Sequence, residues 1–150
     1  MTDTGASLTP SQSLEAAQQV ATMCRALHAP SAAMGALVDE LLARSAAEGL
    51  TAAAADLDRI RTACARMDAL IGQFTDAPRL AREQPELWLA ARAHLRHDLR
   101  TPLNAVKGYG DMLLDDWRDE GRDAAVVELQ RVLAVADQLL VLIDAAPLGA

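Results

Sequence analysis

The sequence is poor in several residue types, and each shortage closes off a class of protein. It has a single Phe, a single Tyr and two Trp, too few for a base-stacking surface. Its two cysteines, Cys24 and Cys64, cannot form a disulfide framework, and with three scattered histidines they make no metal-ligand spacing. They read as small buried residues in a reducing cytoplasm. No apolar run approaches the roughly 20 residues of a membrane span. The N-terminus lacks the basic and apolar regions of a signal peptide. Basic residues are outnumbered, and the formal net charge of −7 disfavours a phosphate backbone as partner. Runs of β-branched residues are scarce as well, which argues against a sheet.

What the chain has instead is alanine and leucine at helical spacing. The expected fold class is all-α, in 150 residues that suffice for one domain with its own core. Residues 1–8 read as disordered. Thr9-Pro10-Ser11-Gln12 has the form of a capping box with proline in the first turn, so a helix is expected from there to about Ala47. Glu48-Gly49 stops it, and Thr51 is placed as the cap of a second helix to about Gly72. A breaker-rich linker, 73–85, follows, with room for one turn of helix between Arg79 and Gln84. A third helix is expected from about Pro85 to Asp119. Gly121 ends it, Asp123 is placed as the cap of a fourth helix to about Ala145, and 146–150 form a loose tail.

The two helix pairs resemble each other at an offset of 72 without a gap. Pro30 falls on Pro102, Leu27 on Leu99, Asp39 on Asp111, Leu41-Leu42 on Leu113-Leu114, Glu48-Gly49 on Glu120-Gly121, and Leu70-Ile71 on Leu142-Ile143. Such self-similarity marks an internal duplication. Each copy reads as a helical hairpin, 9–72 and 86–145, and a hairpin alone buries only one side of its apolar stripe. Two of them packed as one domain give a four-helix bundle.

The copies differ at one stretch, His97-Asp98-Leu99-Arg100-Thr101-Pro102-Leu103. Its counterparts in the first copy are Arg25, Ala26, His28 and Ala29 at the positions of His97, Asp98, Arg100 and Thr101. Leu95, Leu99, Val106, Gly110, Leu113 and Trp117 share one helical face. At about 100° per residue His97 points away from that face, with Arg100, Thr101 and Asn104 on or near its side. Pro102 removes the hydrogen bond to the Asp98 carbonyl and should bend the helix. A neutral imidazole in water has one free nitrogen with which to attack. Asp98 can fix the tautomer by accepting from the other nitrogen. His28 and His94 lack such neighbours and read as solvated. Met23, Met34, Met67 and Met112 are expected in the core, and Trp88, Trp117 and Tyr109 read as packing residues rather than a base-stacking platform. Gly108 and Gly110 each weaken the helix, which either close approach of a neighbour or plain tolerance would explain.

This stretch, with Asn104, Gly108-Tyr109 and Leu113-Leu114, resembles the phosphoacceptor motif of sensor histidine kinases of the HisKA class, in their dimerisation and histidine-phosphotransfer domain. The resemblance covers about 86–145, and 14–72 only through the repeat. It implies that His97 is the phosphoacceptor and that Asp98 orients it. It implies further that Thr101 positions a water for dephosphorylating a partner, against a plain role in stabilising the bend. Arg100, Asn104 and Lys107 would meet the phosphoryl group or the partner, or simply make up a polar face. Family kinases continue into an ATP-binding domain whose boxes this sequence lacks, and it has no P-loop. ATP-dependent self-phosphorylation is therefore not expected.

The implied function is that of a phosphorelay protein in the cytoplasm, histidine phosphotransferase-like. Its partner is a response-regulator receiver domain, with a sensor kinase as a further candidate. No cofactor of its own is expected, Mg²⁺ being carried by the receiver. A second reading stays open: a signalling or dimerisation bundle belonging to a larger regulator or kinase cut short before its effector. A monomeric pseudo-dimer is favoured over a homodimer.

Overall fold

The computed structural model describes residues 8–148. The remaining positions of the expected disordered N-terminus and loose tail lie outside the described residues. Within that span there are five helices and no strand: α1 (Pro10–Ala47), α2 (Thr51–Thr75), α3 (Ala77–Glu83), α4 (Pro85–Asp119) and α5 (Asp123–Ala145). α1 packs on α2 and α5, and α4 packs on α2 and α5. The four long helices thus close a ring around one core, and the short α3 packs against α1 and α4 at one end.

The start of α1 follows the capping-box prediction. The Gln12 amide donates to Thr9 Oγ1 at 3.1 Å and the Thr9 amide donates to Gln12 Oε1 at 3.0 Å, so two amides that the helix cannot satisfy find partners. α1 and α4 end alike. Gly49 and Gly121 both take φ 72°, a conformation that costs glycine nothing. The next amides, those of Leu50 and Arg122, reach back to the carbonyls of Ser45 and Trp117 at 2.8 and 2.9 Å, closing the last turn in the manner of a Schellman motif.

The caps of α2 and α5 differ from expectation by one residue. Thr51 and Asp123 are the first helical residues, and the cap positions belong to Leu50 and Arg122, which make no side-chain cap bond. The turn after each glycine is tight, with Leu50 at φ −82°, ψ 60° and Arg122 at φ −88°, ψ 66°, so the helix is already under way at 51 and 123. Gly72 does not stop α2. The helix runs on to Thr75 because Phe74 is buried and its packing outweighs the roughly 1 kcal/mol that glycine costs. The expected linker is accordingly mostly helical, with α3 covering the expected turn.

The six residues expected on the inner face of α4 are all buried there. Leu27, Met34, Leu41, Leu57, Ile60 and Met67 of the first hairpin are fully buried, as are Leu99, Val106, Leu129, Val132, Leu139 and Ile143 of the second. Trp88 and Trp117 lie in the core. Met112 does not: it is 58% exposed, because it falls on the face of α4 opposite Gly110, Leu113 and Leu114. The tail is also less loose than expected as far as it is described. Leu148 is buried, and Arg96 Nη2 donates to the Ala146 carbonyl at 2.8 Å, placing a cation at the C-terminus of α5.

Candidate phosphoacceptor site

α4 runs without a break through Pro102, which is itself buried. Proline has no amide hydrogen, so the Asp98 carbonyl lacks its intrahelical donor. One residue back, the Thr101 hydroxyl donates to the His97 carbonyl at 2.8 Å, the back-bonding that commonly accompanies a bend. The motif backbone is thus tied by a side chain at the turn where proline loosens it.

The side chains of the motif divide between two surfaces. Asp98, half-buried, faces the groove between α2 and α4, about 560 Å³ in volume. Arg100 and Asn104 line a smaller depression of about 410 Å³ on the other side of α4. His97 and Thr101 border both and are exposed. The imidazole therefore stands on a crest, open to approach from either flank. This follows from the helix: successive residues turn by about 100°, so His97 and Asp98 diverge and His97 and Arg100 share a side.

Electrostatic partners fix the surroundings. Arg100 Nη1 lies 3.5 Å from Asp144 Oδ1 and Lys107 Nζ 2.7 Å from Asp137 Oδ1, both across to α5. The bond to Asp137, together with that carboxylate's charge, holds the Lys107 ammonium above its usual value. On the α2 side the Arg59 guanidinium sits 5.6 Å from the centroid of the Tyr109 ring, a cation–π contact. His28 and His94 are exposed, as expected.

Two groups beside the site carry no signal in the local sequence. Arg96, next to His97, is engaged with the tail. The wall opposite Asp98 comes from the first hairpin: Asp58, Arg59, Thr62, Ala63 and Arg66 of α2 line the same groove as His97. Only the pairing of hairpins brings them there, and no local pattern carried that signal. Among the described residues no group of His, Cys, Asp and Glu is arranged to hold a metal ion, and no helix is long and apolar enough to cross a membrane.

No curated protein and no solved structure matches this chain. One family model does, over residues 92–145: the His Kinase A (phospho-acceptor) domain. That span begins five residues before His97 and ends with the last residue of α5. The exposed histidine, the motif around it and the matched hairpin coincide, and residues 92–145, in α4 and α5, are what is similar to a His Kinase A (phospho-acceptor) domain.

Proposed function

We propose that this protein is a phosphorelay component in which His97 accepts a phosphoryl group from a receiver domain and passes it on. The observation that carries the reading is the position of His97: an exposed imidazole on the outer side of a proline-bearing helix whose inner face is buried, inside a matched phospho-acceptor domain. In the proposed step the unprotonated ring nitrogen attacks the phosphorus of the receiver's aspartyl phosphate. A P–N bond forms, the acyl-phosphate P–O bond breaks, and the receiver's carboxylate leaves. The proton on the other ring nitrogen is released to water. Phosphoryl transfer asks the protein chiefly for position and charge, and a four-helix core supplies position. The Mg²⁺ of such a transfer belongs to the receiver. Arg100 and Asn104 lie on the same side as His97, where the partner would approach, and Thr101, whose hydroxyl proton is given to the His97 carbonyl, would orient a water through its free lone pair.

We further read the two hairpins as duplicated copies forming a pseudo-dimer within one chain. Support comes from the equivalent ends of α1 and α4, with φ 72° at both Gly49 and Gly121, and from α2 and α5 beginning 72 positions apart. One copy then keeps the chemistry and the other serves as its permanent partner.

The test is incubation of the purified chain with a panel of receiver domains charged with acetyl phosphate and Mg²⁺. Acid-labile, base-stable label should move to the wild-type chain and not to His97→Ala. Transfer to His97→Ala at the wild-type level would overturn the reading.

A further inference from the structure

The first hairpin carries no phosphoacceptor motif, yet it forms one wall of the groove at His97. α2 has three arginines, Arg59, Arg61 and Arg66. Arg59 Nη1 is held by Asp56 at 2.8 Å and its guanidinium lies over Tyr109. Arg61 Nε lies 3.4 Å from Asp39 of α1. Arg66 is exposed and has no carboxylate partner among the described residues, although it lines the groove together with His97 and Asp98. The Arg59–Tyr109 contact fixes the register of α2 against α4. The two helices run antiparallel, so moving along α2 from Arg59 to Arg66 moves back along α4 from Tyr109 to the turn of Asp98, Thr101 and Pro102. The charged groups facing this groove are Asp58, Arg59 and Arg66 from α2 and Asp98 from α4. Arg66 is the one cation among them with no partner.

We infer that Arg66 is part of the phosphoryl site: its guanidinium contacts the phosphoryl group as it arrives on His97 and holds it there. A guanidinium presents a planar fork of donors that fits phosphate oxygens, and in a groove beside apolar walls its charge acts more strongly than in open water. The position has a counterpart in the second hairpin at the same offset of 72, and that residue is Gln138. Two copies of the second hairpin would put a neutral amide where the chain as it stands puts a cation. The first hairpin is then a contributor to the chemistry as well as scaffold. This inference rests on His97 being the phosphoacceptor.

The experiment uses potassium phosphoramidate as donor, so that no receiver need be identified. Attack by His97 forms the P–N bond, ammonia leaves, and the ring proton goes to water. The rate of phosphohistidine formation at His97 and its subsequent hydrolysis are followed by mass spectrometry at neutral pH, for wild type, Arg66→Gln, Arg66→Lys and His97→Ala. Arg66→Gln should slow labelling about tenfold, the scale of one charge-assisted hydrogen bond, with an unchanged helical circular dichroism spectrum and melting midpoint. Arg66→Lys should fall between the two. Added salt should slow the wild type more than Arg66→Gln, since screening acts on the charge that the variant lacks. A structural role alone would not produce that difference. If the wild type gains no label at His97, the phosphoacceptor reading fails. If it labels and Arg66→Gln labels at the same rate with the same salt dependence, only the role of Arg66 is overturned.

Discussion

Arg44 Nη2 lies 2.8 Å from Glu128 Oε1, and this contact joins α1 of the first hairpin to α5 of the second. Both side chains are well covered, 30% and 19% exposed. Arg44 Nη1 and Glu128 Oε2 are buried without partners, so the pair is single-stranded rather than a fork. At the offset of 72 the counterpart of Arg44 is Asp116. Pairing the second hairpin with a copy of itself would therefore set Asp116 against Glu128, two like charges at a covered position. The contact favours pairing within the chain. Arg44→Glu should destabilise the fold by about 1–2 kcal/mol, a figure kept below that of fully buried pairs because both groups retain solvent contact. Arg44→Glu with Glu128→Arg should recover most of the loss in a double-mutant cycle by urea unfolding. Additive losses would mean that the two groups do not interact.

The two glycines of α4 should respond oppositely to alanine. A Cβ at Gly108 meets nothing within 4 Å, whereas one at Gly110 would come within 2.6 Å of Leu133 Cδ2. Gly108→Ala should therefore stabilise by about 0.5–1 kcal/mol through helix propensity. At Gly110 the same gain is offset by displacement of a half-buried leucine, at about 1 kcal/mol or more. Thermal denaturation of the two variants should separate them by roughly 1 kcal/mol, with Gly108→Ala the more stable. Equal stabilisation would show that Leu133 moves aside freely.

The buried thiols make the fold sensitive to alkali. Burial raises Cys24 to about 11, partly opposed by Arg25. Burial, with the charges of Asp68 and Asp39, raises Cys64 to about 12. Between the ordinary thiol value and these, the unfolded chain loses protons that the folded chain keeps. Their contribution to stability is thus fully present below about pH 9 and is lost as pH rises through about 11 to 12. Stability by denaturant titration should fall from pH 9 upward, and the slope should diminish in the Cys24→Ala, Cys64→Ala double variant. A thiol-specific disulfide reagent at pH 8 should react with both cysteines only after unfolding. Rapid reaction of the native chain would contradict their burial.

The sequence was most readable where structure is decided locally. The capping box at Thr9, the glycines at 49 and 121 and the apolar spacing of α4 each involve neighbours within a turn or two. Structure departs from the local pattern where distant packing decides. Phe74 pulls α2 past Gly72, and Leu148 and Arg96 tie down the tail, because each finds a partner far along the chain. Residue type alone suggests the core for Met112, and its helical position places it outside. At the site, the exposure of His97 could be read from the periodicity of α4 alone. That Asp98 would face α2, and that α2 would bring Arg66 to the same groove, depended on which helix lies on which flank of α4, and no pattern within either hairpin encodes that.

Among the exposed histidines of this chain, His97 is the proposed nucleophile for phosphorus. His28 and His94 are equally accessible to a small donor and serve as internal controls. Site-resolved mass spectrometry of the wild-type chain treated with phosphoramidate, under conditions that preserve the P–N bond, measures all three at once. Label should concentrate at His97 and form there at least about tenfold faster than at the other two, the equivalent of about 1.4 kcal/mol in barrier. Equal labelling of His28, His94 and His97 would contradict it.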